Sequence, residues 1–135
     1  MFSKPEYGWT HVSIGEFEGE ASYITEVPID VLDAFIDYYK LHKNICVDFD
    51  EEGSTFVLVV SSDIDIFVIS EREQITTYKI DMSIDELANE IIRDFEQDIK
   101  GWEYFTYEYR KLEVKSKLNE LKRLVKIKKI ELISE

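Results

Sequence analysis

At 135 residues, with 44% hydrophobic and 33% charged side chains, the chain has enough length for one domain with a real core and too little for two of ordinary size. Five glycines and two prolines argue against a disordered or fibrous chain, and a single cysteine, Cys46, excludes an intramolecular disulfide and a cysteine-based zinc site. A formal net charge of −13 opposes nucleic-acid phosphates and anionic membranes and favours a basic protein partner.

The charge is unevenly placed. Residues 1–100 carry 7 basic and 23 acidic side chains, a net of −16, whereas residues 101–135 carry 9 and 6, a net of +3. The first ten residues lack an apolar signal core. The longest apolar run, Phe56–Val60, falls far short of the roughly 20 residues of a membrane span. With one cysteine, these features predict a cytoplasmic protein that meets neither membrane nor nucleic acid.

In chain order, Thr10, Val12 and Ile14 alternate with His11 and Ser13, the period of a strand. Gly15 and Gly19 bracket a turn, and a second strand is expected over 20–26. Pro28 suits the first turn of a helix that continues through Ile29, Leu32, Phe35, Ile36 and Tyr39 to about Leu41, with Asp30, Asp33 and Asp37 on the opposite stripe. Four strand-like runs follow, over 45–50, 56–60, 64–69 and 75–80, with connections short enough for an antiparallel meander. The run 56–60 is apolar on both faces and is expected to be covered on both. Ser83 and Glu86 have the spacing of a capping box, ahead of a stripe running from Ile84 through Leu87, Ile91 and Phe95 to Ile99.

Gly101 interrupts that stripe. An aromatic cluster comes next: Trp102, Tyr104, Phe105, Tyr107 and Tyr109. Beyond it Val114, Leu118, Leu121 and Val125 form a narrow seam among lysines. The expected fold is α+β: a mixed, mainly antiparallel sheet of about six strands in ββαββββα order, with helices on one face and a C-terminal amphipathic helix. Residues 1–101 make the acidic body. Residues 102–135 make an extension that packs on the same domain or closes a homodimer through the seam.

No catalytic, cofactor or metal site is expected. Asp48-Phe49-Asp50-Glu51-Glu52-Gly53 matches the opening of a calcium loop, but the twelfth position, where a bidentate Glu is needed, is Val59, so the segment reads as an acidic hairpin turn. His11 and His42 have no second ligand at metal spacing. Cys46 reads as a small apolar filler of a strand. Ser61 and Ser62 lack the glycines of a nucleophile elbow, and the isolated glycines build no phosphate loop. The candidate partner-binding residues are therefore Asp48, Asp50, Glu51 and Glu52, with Asp30, Asp33 and Asp37 as a second patch and Trp9 or Trp102 as an apolar anchor.

Gly8-Trp9-Thr10 running on to Gly15, and Ala21-Ser22-Tyr23 leading through Val27-Pro28 into the first helix, resemble small acidic bacterial proteins of the toxin-immunity type. The resemblance covers about residues 8–100. It implies an antidote that binds a basic toxin domain, such as a nuclease. The expectation is thus a non-enzymatic protein-binding module. Its alternatives are a housekeeping or regulatory module whose acidity serves solubility, and a carboxylate-based hydrolase using a divalent ion.

Overall fold

Alternating burial builds the first hairpin. In β1 (Trp9–Ile14) the side chains of Thr10, Val12 and Ile14 point inward, and β1 pairs antiparallel with β2 (Phe17–Ser22), Ile14 opposite Phe17. The turn is shorter than the glycine spacing suggests. Gly15, at φ +57°, and Glu16 form a two-residue loop with positive φ at its first position only, the pattern of a type II′ turn. Gly19 instead lies inside β2, where an added Cβ would meet the Phe17 ring at 2.8 Å and the Arg72 guanidinium at 3.1 Å. The molecule is seen in a computed structural model that describes residues 1–106 and 111–134, so Tyr107 and Tyr109 of the aromatic cluster lie outside the described residues.

After β2 come α1 (Val27–Leu41), β3 (Ile45–Asp50), β4 (Thr55–Ser62), β5 (Asp65–Glu71), β6 (Ile75–Ile80), α2 (Ile84–Gln97), α3 (Ile99–Glu103) and α4 (Lys111–Ser134). The class is α+β, and the strands are antiparallel throughout. They do not form one six-stranded sheet. β1–β2 is a separate two-stranded sheet, and β3-β4-β5-β6 is a meander of four. α1 lies between β2 and β3 in the chain, and side chains tie the two sheets together. Arg72, beyond β5, donates to the Glu18 carbonyl (2.7 Å) and to the Glu51 carboxylate (3.0 Å).

Pro28 sits in the first turn of α1, and His42, left-handed at φ +55°, ends it with an N–H to the Tyr38 carbonyl at 3.1 Å. The Ser83 hydroxyl caps α2 by accepting the Glu86 N–H at 3.2 Å. Ile84, Leu87, Ala88, Ile91, Ile92 and Phe95 are buried along α2. The stripe does not reach Ile99 in one helix. α2 stops at Gln97, and the Asp98 carboxylate accepts the Gly101 N–H (3.3 Å) to start α3.

The sheet is covered on one face only. Ile45, Val47 and Phe49 of β3, Phe56, Leu58 and Val60 of β4, and Ile66 and Val68 of β5 are buried in the core. The alternate residues Val57, Val59, Phe67 and Ile69 are only half-buried, which corrects the expectation of cover on both sides of β4. Cys46 is exposed on the same outer face and fills no core. The helices, the hairpin and the N-terminal residues all occupy the inner side. Phe2 bridges to Val12, and its ring lies 5.4 Å from Phe95 and 5.6 Å from Trp102.

At the C-terminal segment the structure corrects one sequence expectation and realises one of two alternatives. Trp102 is 1% exposed, packed against Phe95 (4.7 Å) and Phe105 (5.3 Å), so it anchors the core and is not available to a partner. The seam is consumed within the chain. α4 packs on α1, α2 and α3, which buries Val114, Leu118 and Leu121 and half-buries Val125, so the seam residues pack within the chain. Because α1 and α2 already line the sheet, α4 needs only a narrow stripe to dock on them, at roughly 1.5–3 kcal/mol per buried leucine or valine.

Candidate functional site

Docking α4 also disposes of much of the charge asymmetry. Lys117 pairs with Asp33 (2.6 Å), Lys122 with Glu96 (2.8 Å), and Lys128 with Asp85 (3.1 Å) and Asp63 (3.7 Å). Asp33, placed by the sequence in a partner-binding patch, is thereby engaged inside the chain. Asp37 is half-buried on α1, and no ion pair joins it among the described residues.

Asp30 and Asp48, one residue from each acidic patch read from the sequence, come near each other in space. The Asp30 carboxyl on α1 is held above its usual range, first by burial and then by the charges of Glu26, Asp33 and Asp48. Asp48 reaches this neighbourhood because α1 runs beside β3. Asp50 and Glu52 continue the acidic surface into the β3–β4 turn, where the Asp50 carboxylate accepts the Glu52 N–H at 2.6 Å and Glu52 takes a left-handed φ of +57°. Glu51 leaves the patch. Burial would raise its carboxyl, but Arg72, the Glu20 N–H and the Ser54 hydroxyl outweigh burial and hold it below the usual carboxylate range. It is a tie between the sheets, not a free contact. Trp9 is half-buried at the start of β1.

The outer sheet face is the second component. The register places Cys46, Val59, Phe67 and Lys79 in one row across β3 to β6, and Asp48, Val57, Ile69 and Thr77 in the next. A third row is Asp50, Thr55, Glu71 and Ile75, with Ile75 74% exposed. The apolar centre, Val57, Val59, Phe67 and Ile69, is therefore flanked by Asp48 and Asp50 on β3 and by Glu71 at the end of β5. The Lys79 ammonium lies 4.7 Å from the Phe67 ring centre and 3.2 Å from Asp65. An apolar centre inside a charged rim is the usual anatomy of a protein-binding surface.

A separate cleft of about 530 Å³ opens where the end of α1, the β4–β5 turn and the second half of α4 meet. Tyr38 donates its phenol hydrogen to Asp63, and Tyr39 donates to Asp85 at 2.6 Å. Both phenols are held protonated well above their ordinary range, by burial first and then by these carboxylates. Lys128 enters from α4, with its ammonium 5.4 Å from the Tyr39 ring centre. Leu124 and Ile127 form an apolar side, and Glu131, an exposed residue, also lines the cleft. Sequence reading missed this cleft because its residues come from three distant segments. The one available signal was Lys128, a cation spaced three residues after Val125 of the seam.

His11 joins the hairpin's outer face. Its ring nitrogens lie 2.6 Å from Glu20 and 3.2 Å from Glu18, which hold its pKa above the ordinary 6.5. Among the described residues, no group of three or more His, Cys, Asp or Glu side chains is placed to hold a metal ion, and no helix is long and apolar enough to cross a membrane. Comparison with protein-family models, with curated proteins and with solved structures gives no match.

Proposed function

We propose that this protein is a non-catalytic protein-binding module, that its contact surface is the open face of the β3–β6 sheet, and that its partner is basic. The observation that supports this most is the half-buried apolar centre Val57, Val59, Phe67 and Ile69 beside Asp48, which shares its acidic neighbourhood with Asp30. A sheet face left uncovered by the chain's own helices keeps apolar area in reserve for another surface. Carboxylates at its rim speed encounter with a cationic partner, most strongly at low salt. The narrower reading, an antidote that covers a basic toxin domain such as a nuclease, draws on the resemblance around Gly8-Trp9-Thr10 and on the same rim. Nucleases bind phosphate through cationic surfaces, so an acidic blocker competes for the same groups. Action in the cytoplasm accords with a single, exposed, unpaired Cys46.

The test is capture from a lysate of the native cell at low and at high salt, with the wild-type chain and two variants, Asp48→Lys and Val59→Glu. The expected result is a basic protein held at low salt, released by salt, and lost with either variant. Capture of no protein, or capture that survives both variants, removes the reading.

A further inference from the structure

We propose that the cleft between α1, the β4–β5 turn and α4 is a binding site for a primary ammonium carried on an alkyl chain. The inference is independent of the open sheet face. Its volume, about 530 Å³, falls in the range of small-molecule sites, and it combines an apolar side with a few polar groups, as such sites do. Two features select the ligand class. First, the cleft already binds an ammonium of its own. Lys128 places its Nζ 3.1 Å from Asp85, 3.7 Å from Asp63 and 5.4 Å from the Tyr39 ring centre, which is how an aromatic and acidic pocket receives an alkylammonium. Second, the charge left over is negative. Asp63 is shared between Tyr38 and a long contact to Lys128, and Glu131 has no ion-pair partner among the described residues.

An anion is opposed on the same grounds. The Lys128 charge is spent on Asp85 and Asp63, and the two phenols already donate to those carboxylates. An incoming ammonium has Asp63 and Glu131 as acceptors, and its methylene stem has Leu124, Ile127 and the Tyr38 ring to lie against. The same chemistry is carried by a free diamine and by a lysine side chain.

The full chain titrated by NMR with cadaverine, and in a second arm with Nα-acetyl-lysine amide, tests the site. The expected result is saturable, one-site shifts at Tyr38, Tyr39, Asn44 and Asp63. Glu131→Gln and Asp63→Asn should each weaken binding about tenfold, and Lys128→Ala should strengthen it about tenfold by vacating Asp85 and the Tyr39 ring. Tighter binding of cadaverine assigns the site to a free amine, and tighter binding of the amide assigns it to a lysine side chain. Glu131 is exposed, so its variant has no packing to lose, and Glu52→Gln serves as a surface control. Shifts scattered over Glu18, Asp48 and Glu52 without saturation overturn the proposal, as does an affinity equal in the wild type, Glu131→Gln and Lys128→Ala.

Discussion

Arg72 and Glu51 form a charged tie between the two sheets. The guanidinium reaches the Glu51 carboxylate through Nε at 3.2 Å and Nη2 at 3.0 Å, while Nη2 also donates to the Glu18 carbonyl. One side chain past β5 thereby holds the β3–β4 turn and the β1–β2 hairpin together, and its guanidinium lies 5.3 Å from the Phe17 ring centre. Among the described residues, no backbone ladder joins the two sheets.

Removing the pair should loosen the hairpin. Glu51→Gln and Arg72→Ala are each expected to cost about 1–2 kcal/mol in urea denaturation, the scale of a charge-assisted hydrogen-bond pair. The pH dependence has a definite sign. Glu51 is held below its ordinary 4.5, so its contribution is present above that value and is lost as pH falls through the folded-state pKa. The acid limb of the stability curve should be shallower in Glu51→Gln than in the wild type. Identical acid limbs would count against the pair.

His11 should behave in the opposite sense. Glu20 first, then Glu18, hold its pKa above 6.5, so its contribution is complete below 6.5 and disappears as pH rises through the folded-state pKa. An NMR titration of the His11 ring should give a midpoint above 6.5, which Glu20→Gln lowers. The effect on stability is small, because the side chain is 41% exposed.

Substitution in the α4 seam should destabilise the monomer and leave its association unchanged. Leu118→Ala and Leu121→Ala are expected to cost about 2–5 kcal/mol each by leaving cavities against α1 and α2. Thermal midpoints of wild type and variants should not move with protein concentration. A midpoint that rises with concentration in the wild type and not in Leu121→Ala would return the seam to an intermolecular role.

Neighbouring residues of β4 should respond very differently. Leu58, 1% exposed, faces the core, and Leu58→Ala is expected to cost about 2–5 kcal/mol. Val59 faces the open side, and Val59→Thr should stay within about 0.5 kcal/mol of wild type. Equal losses at the two positions in chemical denaturation would mean that the outer face is covered after all.

The elements were largely legible in the sequence because their signals are local. Alternation at Thr10, Val12 and Ile14, Pro28 at a helix start, and Ser83 three residues before Glu86 all act within one or two turns of chain. Charge followed from composition alone, and the α+β class from the order of these local signals. What the tertiary structure decided depends on which surfaces meet. Nothing local distinguishes Trp102 in the core from Trp102 at an interface, since both roles want a large apolar ring, and only the approach of Phe2 and Phe95 resolves it. The seam of α4 reads the same whether its partner is α1 or a second chain. Asp30 and Asp48 stand apart along the sequence and meet because α1 lies beside β3. The number of layers lies equally beyond local pattern: with all the helices on one side, the apolar outer residues of β4 and β5 stay open, and whether a strand face is covered is a property of the whole packing.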